Sequence, residues 1–469
     1  MVKPLALAIF TAFASAQALA AATHFDDFTP LSSSFGTPIP VADAQEATPF
    51  ILANPAWTQE TIADRSTQLG LGHSNSGLWD MIDTNHTGVD AGRYLFMPFE
   101  PSNAGGVPNT ASGAQRIDLW ETDYNKRTIT LVPVGTQNWQ RGDASRWTPW
   151  GGWLTGEENF SAGNASSGRL FEVTNPVSAT KDNGNLVQRN SVVPLISHEG
   201  IVFDNSKNLY FVDENSSGSI YKFVSANPNA GNGDDYFAAG QTFVAKVNSG
   251  QTGAYAWEAI TDINGGNVAA TARLASGEID GRASADNAGG TAYSRPEDME
   301  IVTLPNGDEL MLFTATGTHE VYSMNLTTRE TKLFASRNTV DAATGLAVGN
   351  VLASPDNMAI DAAGNFYIIE DQSNGNADIW MATDADKDGV AESLARWATL
   401  GTTGAEPTGL YFDAFKPNVA YVNIQHPSSG VDRTIMITAV PEPETYAMML
   451  AGLGLVGTIA SRRRACAAS

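Results

Sequence analysis

An eighteen-residue pattern occurs twice in this chain without a gap, as SHEGIVFDNSKNLYFVDE from Ser197 to Glu214 and SPDNMAIDAAGNFYIIED from Ser354 to Asp371. In each copy an acid (Glu199, Asp356) precedes a short apolar run, and an Asp (Asp204, Asp361) opens a tight turn that ends in Asn. A second apolar run then closes on two carboxylates, Asp213 and Glu214 or Glu370 and Asp371. The pattern predicts strand, turn and strand with acids at both ends. Looser copies put Glu297 level with Glu199 and Asp356 in Arg295 to Ile301, and Glu406 two positions early in Ala405 to Asp413. Self-similar units of short strands restrict the fold to radial or stacked repeats. The expectation is an all-β chain, a β-propeller of about six blades with loop insertions. No long amphipathic helix, P-loop, HExxH or GxSxG interrupts it.

The two ends read differently from the middle. Residues 1–20 carry a basic start at Lys3, an apolar stretch and Ala18-Leu19-Ala20, the pattern of a secretory signal peptide. Residues 21–64, rich in Thr, Ser, Pro and Ala, predict an N-terminal arm or edge strand, and 65–439 the propeller domain. Residues 440–469 contain Pro441-Glu-Pro443, an apolar segment and Arg462 to Arg464. This tail resembles the PEP-CTERM sorting signal of Gram-negative bacteria. The resemblance implies removal by an exosortase-type membrane enzyme during delivery to the periplasm, cell surface or an extracellular matrix of exopolysaccharide.

Charge and cysteine usage narrow the partners. With 51 acidic against 27 basic residues, a net of −24, nucleic acid and anionic membrane are disfavoured. The single cysteine, Cys466, lies in the tail, so exterior stability must come from packing or bound metal. Asp384, Asp386 and Asp388 alternate before Gly389, and Glu392 follows; oxygens so spaced can wrap one hard cation, which predicts a structural calcium loop.

In a propeller the innermost strand of each blade begins at the mouth of a central channel. Glu199, Glu297, Asp356 and Glu406 are therefore expected to meet there, joined by Glu157 or Glu158 from the segment Thr148 to Asn159. Carboxylates crowded in a water-poor funnel must take up protons or bind metal. All-oxygen ligation selects several calcium ions or similar hard cations, and His198 would add a nitrogen for a transition metal. Arg295, two residues before Glu297 and stiffened by Pro296, offers a planar fork suited to a tetrahedral oxyanion.

TPWGGWLTGEEN from Thr148 to Asn159, His198-Glu-Gly200, Arg295-Pro-Glu297 and Ser354-Pro-Asp-Asn357 resemble the PhoX-type alkaline phosphatases, in the same order. The resemblance implies a propeller phosphomonoesterase acting on a small phosphorylated substrate, with calcium ions and an iron pair in its channel. It assigns Glu157, Glu158 and Glu297 to metal, Asn159 and Arg295 to phosphate, and Glu199 and Asp356 to the surrounding shell. Members commonly carry Cys just before the glutamate pair as a soft iron ligand; here Gly156 stands there, so iron loses its thiolate. Two other readings stay open. One is a non-catalytic calcium-binding propeller associated with exopolysaccharide. The other is a calcium-dependent lactonase-like hydrolase, because Ser354 to Asp361 also resembles the gluconolactonase propellers.

Overall fold

The computed structural model describes residues 25–101, 111–159, 167–372 and 376–440. The signal peptide and the sorting tail therefore lie outside the described residues. The described chain is all-β with a propeller-like arrangement: up-and-down antiparallel strands form four small sheets and one of nine strands. The first two sheets hold Asp83–Thr84 to Thr128–Val132 and Gly142–Trp147 to Leu186–Gln188. The nine-stranded sheet is two meanders, begun by His198–Phe203 and Pro296–Thr303, joined where Gly253–Ala259 pairs with Glu330–Ala335. The remaining sheets begin with Pro355–Ile360 and Glu406–Phe412.

The repeat now has a physical meaning. Asp204 accepts from Asn208 N (2.8 Å), Asn208 Nδ2 (2.6 Å) and the Tyr210 hydroxyl (3.1 Å), and Asp361 makes the same three bonds with Asn365 and Tyr367. One carboxylate thus fixes the turn and ties it to a buried tyrosine of the next strand. The turn needs one left-handed residue. It is Gly364 in the second copy (φ 79°) and Lys207 in the first (φ 61°). The strands Leu209–Asp213 and Phe366–Glu370 are buried along their whole length because sheets cover both faces, which explains runs that are continuously apolar.

Innermost strands are stitched to one another around the axis. Asp83 accepts from Trp147 N (2.6 Å), and Arg146 donates to Ile201 O (2.6 Å). Asp298 accepts from Met358 N (2.9 Å), Asn357 from Gly409 N (2.8 Å), and Thr408 donates to Trp79 O (2.9 Å). Between Gly200 and Met299 the backbones approach so closely that a Cβ at Gly200 would lie 2.6 Å from Met299 N.

The N-terminal arm is not separate from this ring. Thr58–Asp64 is the outer strand of the last sheet, paired with Arg433–Thr438, and Phe50–Leu52 pairs with Ser393–Leu400. Phe25 is fully buried, its ring 5.2–5.5 Å from those of Trp57, Trp397 and Phe412. The segment 263–293, rich in Gly, Ala and Asp, carries one helix at Gly281–Ala288, capped by Asp280. Asp280 accepts from Ala283 N, and the cap fixes where the helix starts.

Candidate metal and phosphate site

Five innermost strands are interrupted by a β-bulge near their start. In three of them the bulge is the acid and its successor: Glu199-Gly200, Glu297-Asp298 and Asp356-Asn357. A bulge leaves a residue outside the ladder and re-aims its side chain. Here Asp298 and Asn357 stitch the neighbouring strand, Gly200 lets the next strand approach closely, and the acid of each pair turns to the axis. Oxygens of Glu199, Glu297 and Asp356 lie within 4.8 Å of one another.

They line a cavity of about 310 Å³ at the end where the innermost strands begin. Its wall has two tiers. Asp80, Asp143 and Glu406 join the three bulge acids from the innermost strands and the segments leading into them. Glu100, Glu158, Glu214 and Asp371 come from the residues just after second strands. Arg141 and Arg295 complete the wall, each immediately ahead of an innermost strand and each left-handed, with φ of 46° and 51°. A left-handed residue before proline is disfavoured twice, so Arg295 is held by its surroundings: its N donates to Asn215 O (2.8 Å) and its carbonyl accepts from Thr316 N (3.0 Å). The Arg295 side chain is 44 % exposed and reaches Glu214 Oε1 through Nε (3.1 Å) and Nη2 (2.5 Å).

Burial and mutual repulsion set the electrostatics. Desolvation first, then neighbouring carboxylates, push Asp80, Glu100, Asp143, Glu158, Glu199, Glu297 and Glu406 well above the usual carboxylate range. Asp356 rises to about 7 by desolvation and the Asp371 charge, against the opposing pull of Arg295. Glu199 Oε2, Glu297 Oε1 and Glu406 Oε2 are buried with no aligned N–H or hydroxyl donor among the described residues, and the carboxyl groups of Glu297 and Asp371 stand against Glu199 and Glu406. Arg295 Nε is 3.1 Å from Glu297 Oε1 but is not aligned as a donor to it. Buried orphan carboxylate oxygens fit a hard divalent cation.

Among the residues proposed from sequence, the cavity brings together Glu158, Glu199, Glu297, Asp356, Glu406 and Arg295. Glu157 is not on its wall. It ends the strand Trp153–Glu157 and points away, bound to Arg169 Nε (2.6 Å) and Nη2 (2.7 Å), since successive strand residues face opposite sides. Asn159 is also outside the wall; its N donates to Ser197 Oγ (3.1 Å) and its Nδ2 to Ser167 O (3.3 Å). His198 turns into its own sheet, Nε2 3.1 Å from Pro194 O, and burial drives its imidazole down to about 3. Among the described residues, neither His nor Cys lines the cavity. A Cβ at Gly156 would sit 2.6 Å from His198 Cβ and 2.8 Å from His198 O, so this position has no room for a thiolate ligand. Away from the axis, Asp384, Asp386 and Asp388 converge within 4.8 Å, while Glu392 accepts from Ala385 N (2.9 Å).

Sequence reasoning missed Asp80, Glu100, Asp143, Glu214, Asp371 and Arg141 as wall residues. Glu214 and Asp371 carried a signal, being the second of two adjacent acids at a strand end. The first of each pair turns into the sheet: Asp213 takes a fork from Arg282 (2.7 and 2.6 Å), and Glu370 accepts from Trp380 Nε1 (2.9 Å).

Fold and site together define a propeller-like protein with an acidic axial cavity edged by two guanidinium groups. The family model for alkaline phosphatase PhoX matches residues 144–428, and that of the PEP-CTERM protein-sorting motif matches 439–464. The chain belongs to the alkaline phosphatase PhoX family. Its PEP-CTERM motif marks an exported protein handled by an exosortase-type sorting system. No helix among the described residues is long and apolar enough to cross a membrane. No curated protein matches the chain. Among solved structures, a candidate phosphatase from Bacteroides thetaiotaomicron is 12% identical, with 82% of this chain and 79% of that one covered and a TM-score of 0.45. A catalytically inactive virginiamycin B lyase from Staphylococcus aureus is 10% identical over 82% and 100%, at 0.42. A luciferin-regenerating enzyme is 10% identical over 81% and 95%, at 0.46.

Proposed function

We propose that this chain hydrolyses phosphate monoesters with the aid of hard divalent cations, calcium foremost, held by Glu158, Glu199, Glu297, Asp356 and Glu406. The observation that carries this reading is the meeting of Glu199, Glu297 and Asp356, with buried carboxylate oxygens that have no aligned donor among the described residues. Bound cations would neutralise phosphoryl oxygens and lower the pKa of a coordinated water. The chain's own contribution is position and charge. Arg295, fixed by its strained backbone at the mouth, donates N–H groups to the phosphoryl oxygens, and the funnel limits water around the scissile bond. Without cations the ring of acids would repel a phosphate dianion. The Asp384, Asp386 and Asp388 loop takes a further calcium with a structural role, and counting the nine-stranded sheet as two units gives six blades. Purified tail-less protein supplied with calcium, with and without iron, should release phosphate from an aryl phosphate. Chelation and Glu297→Gln should each abolish release. Absence of turnover with any metal would overturn the reading.

A second reading is favoured by two observations, the lack of room at Gly156 and, among the described residues, a cavity wall with no soft ligand. On that reading the protein is a calcium-stiffened, non-catalytic propeller on exopolysaccharide. It predicts full calcium binding with no phosphate release under the same assay.

A further inference from the structure

The residue directly after a second strand is an acid on the cavity wall at Glu158, Glu214 and Asp371. In the last sheet the same place, after Val419–Gln425, is taken by His426. Its backbone is left-handed (φ 39°), a conformation that histidine adopts more readily than most residues, and its N donates to the buried Asp432 Oδ1 (2.9 Å). Asp432 also takes Leu78 N (3.2 Å), so the carboxylate that holds the His426 backbone is itself tied to a second segment.

The imidazole has a fixed orientation. Nδ1 lies 2.7 Å from Gly404 O, a carbonyl that can only accept, so Nδ1 carries hydrogen. Nε2 lies 2.9 Å from Glu406 Oε1, and since Nδ1 already carries a hydrogen this contact needs one more proton, held as imidazolium against carboxylate or as imidazole against carboxylic acid. That contact occupies one carboxylate oxygen and leaves Glu406 Oε2, buried with no aligned N–H or hydroxyl donor among the described residues and on the same wall as the Asp371 carboxyl, as the atom available to the cavity.

We propose that His426 is a positioning residue: clamped by Gly404 and Asp432, it holds Glu406 so that Oε2 serves as a ligand for a hard divalent cation. The inference rests on the cation-holding reading given above. A carboxylate fixed through one oxygen presents the other without losing rotamer freedom on binding, and such outer partners set affinity as strongly as ligands do.

The test is calcium titration calorimetry on the tail-less protein in an Asp384→Asn background, which removes the loop's contribution. His426→Ala should bind calcium about 10–100-fold more weakly. His426→Gln, whose amide can still donate to Glu406, should stay close to the parent, and His426→Ala should add nothing on top of Glu406→Gln. In turnover assays the calcium needed for half-maximal rate should rise in His426→Ala while kcat at saturating calcium is kept. If His426→Ala does not fold, His426→Asn, which keeps a donor but is too short for Glu406, carries the same comparison. Unchanged calcium affinity in the variant, with Glu297→Gln still weakening it, would overturn the role of His426 alone. A parent protein that binds no calcium would overturn the cation reading and this inference with it.

Discussion

Asp356→Asn separates the two demands that the cavity places on its carboxylates. In the metal-free protein burial and the Asp371 charge lift this carboxyl from 3.8 to about 7. An acid whose folded-state pKa is raised binds its proton more tightly folded than unfolded. It therefore costs stability progressively as pH climbs from about 3.8, with the full cost in place above about 7. At 1.36 kcal/mol per pH unit the cost reaches at most about 4 kcal/mol, an upper limit because Asp356 is only partly buried and solvent screens it. Asn removes the charge and keeps the shape. Metal-stripped Asp356→Asn should therefore gain on wild type steadily from pH 4 to pH 7 and then hold its advantage. Relief of the neighbouring acids adds in the same direction. Excess calcium should reverse the order, since the cation stabilises the form that binds it. Urea unfolding of both proteins across this range, with and without calcium, measures each step. Identical pH slopes for the two metal-free proteins would refute the crowding argument, and an unreversed order with calcium would refute ligation by Asp356.

Other outcomes follow from the same geometry. Gly156→Cys should not create an iron enzyme: its Cβ would collide with His198, so we expect a loss of about 1–3 kcal/mol and no gain of bound iron by elemental analysis. Phe25→Ala should cost about 3–5 kcal/mol in chemical unfolding, because it empties the aromatic cluster that pins the N-terminal arm across two sheets. His86 binds Asp83 Oδ1 (2.7 Å); burial lowers its pKa, but the Asp83 charge and hydrogen bond outweigh that and leave it above 6.5. A raised histidine contributes stability that is complete below pH 6.5 and is lost as pH rises through the folded value, so His86→Gln should flatten that part of the stability profile.

How much was legible in the sequence depended on whether a residue sat inside the repeat. Glu199, Glu297 and Asp356 were readable because the repeat carries a register, and one register means one direction toward the axis. Asp80, Asp143 and Glu100 belong to the first two sheets, where turn and strand composition has drifted until no copy of the pattern can be aligned. Between Glu157 and Glu158 the sequence left the choice open; Glu158 lines the cavity and Glu157 does not, because of two adjacent acids at a strand end only one can face the channel. The same rule, applied to Asp213-Glu214 and Glu370-Asp371, would have assigned Glu214 and Asp371 to the wall. Pairing of Thr58–Asp64 with Arg433–Thr438 had no local signature, since register between the two ends of a chain is set only when the ring closes.

Closure of that ring and the chemistry of its centre are linked. The acids that would bind cations cost stability while they are empty, and the strands that carry them are held by the stitches from Asp83 to Trp147, Arg146 to Ile201 and Asn357 to Gly409. The Asn357 bond, like that of Asp298 to Met358, lies at a bulge immediately beside a wall acid, Asp356 in one case and Glu297 in the other. Until cations bind, proton uptake by the wall acids and the packing of the sheets must together contain the repulsion. The N-terminal strand and Phe25, which fasten the last sheets, belong to that packing.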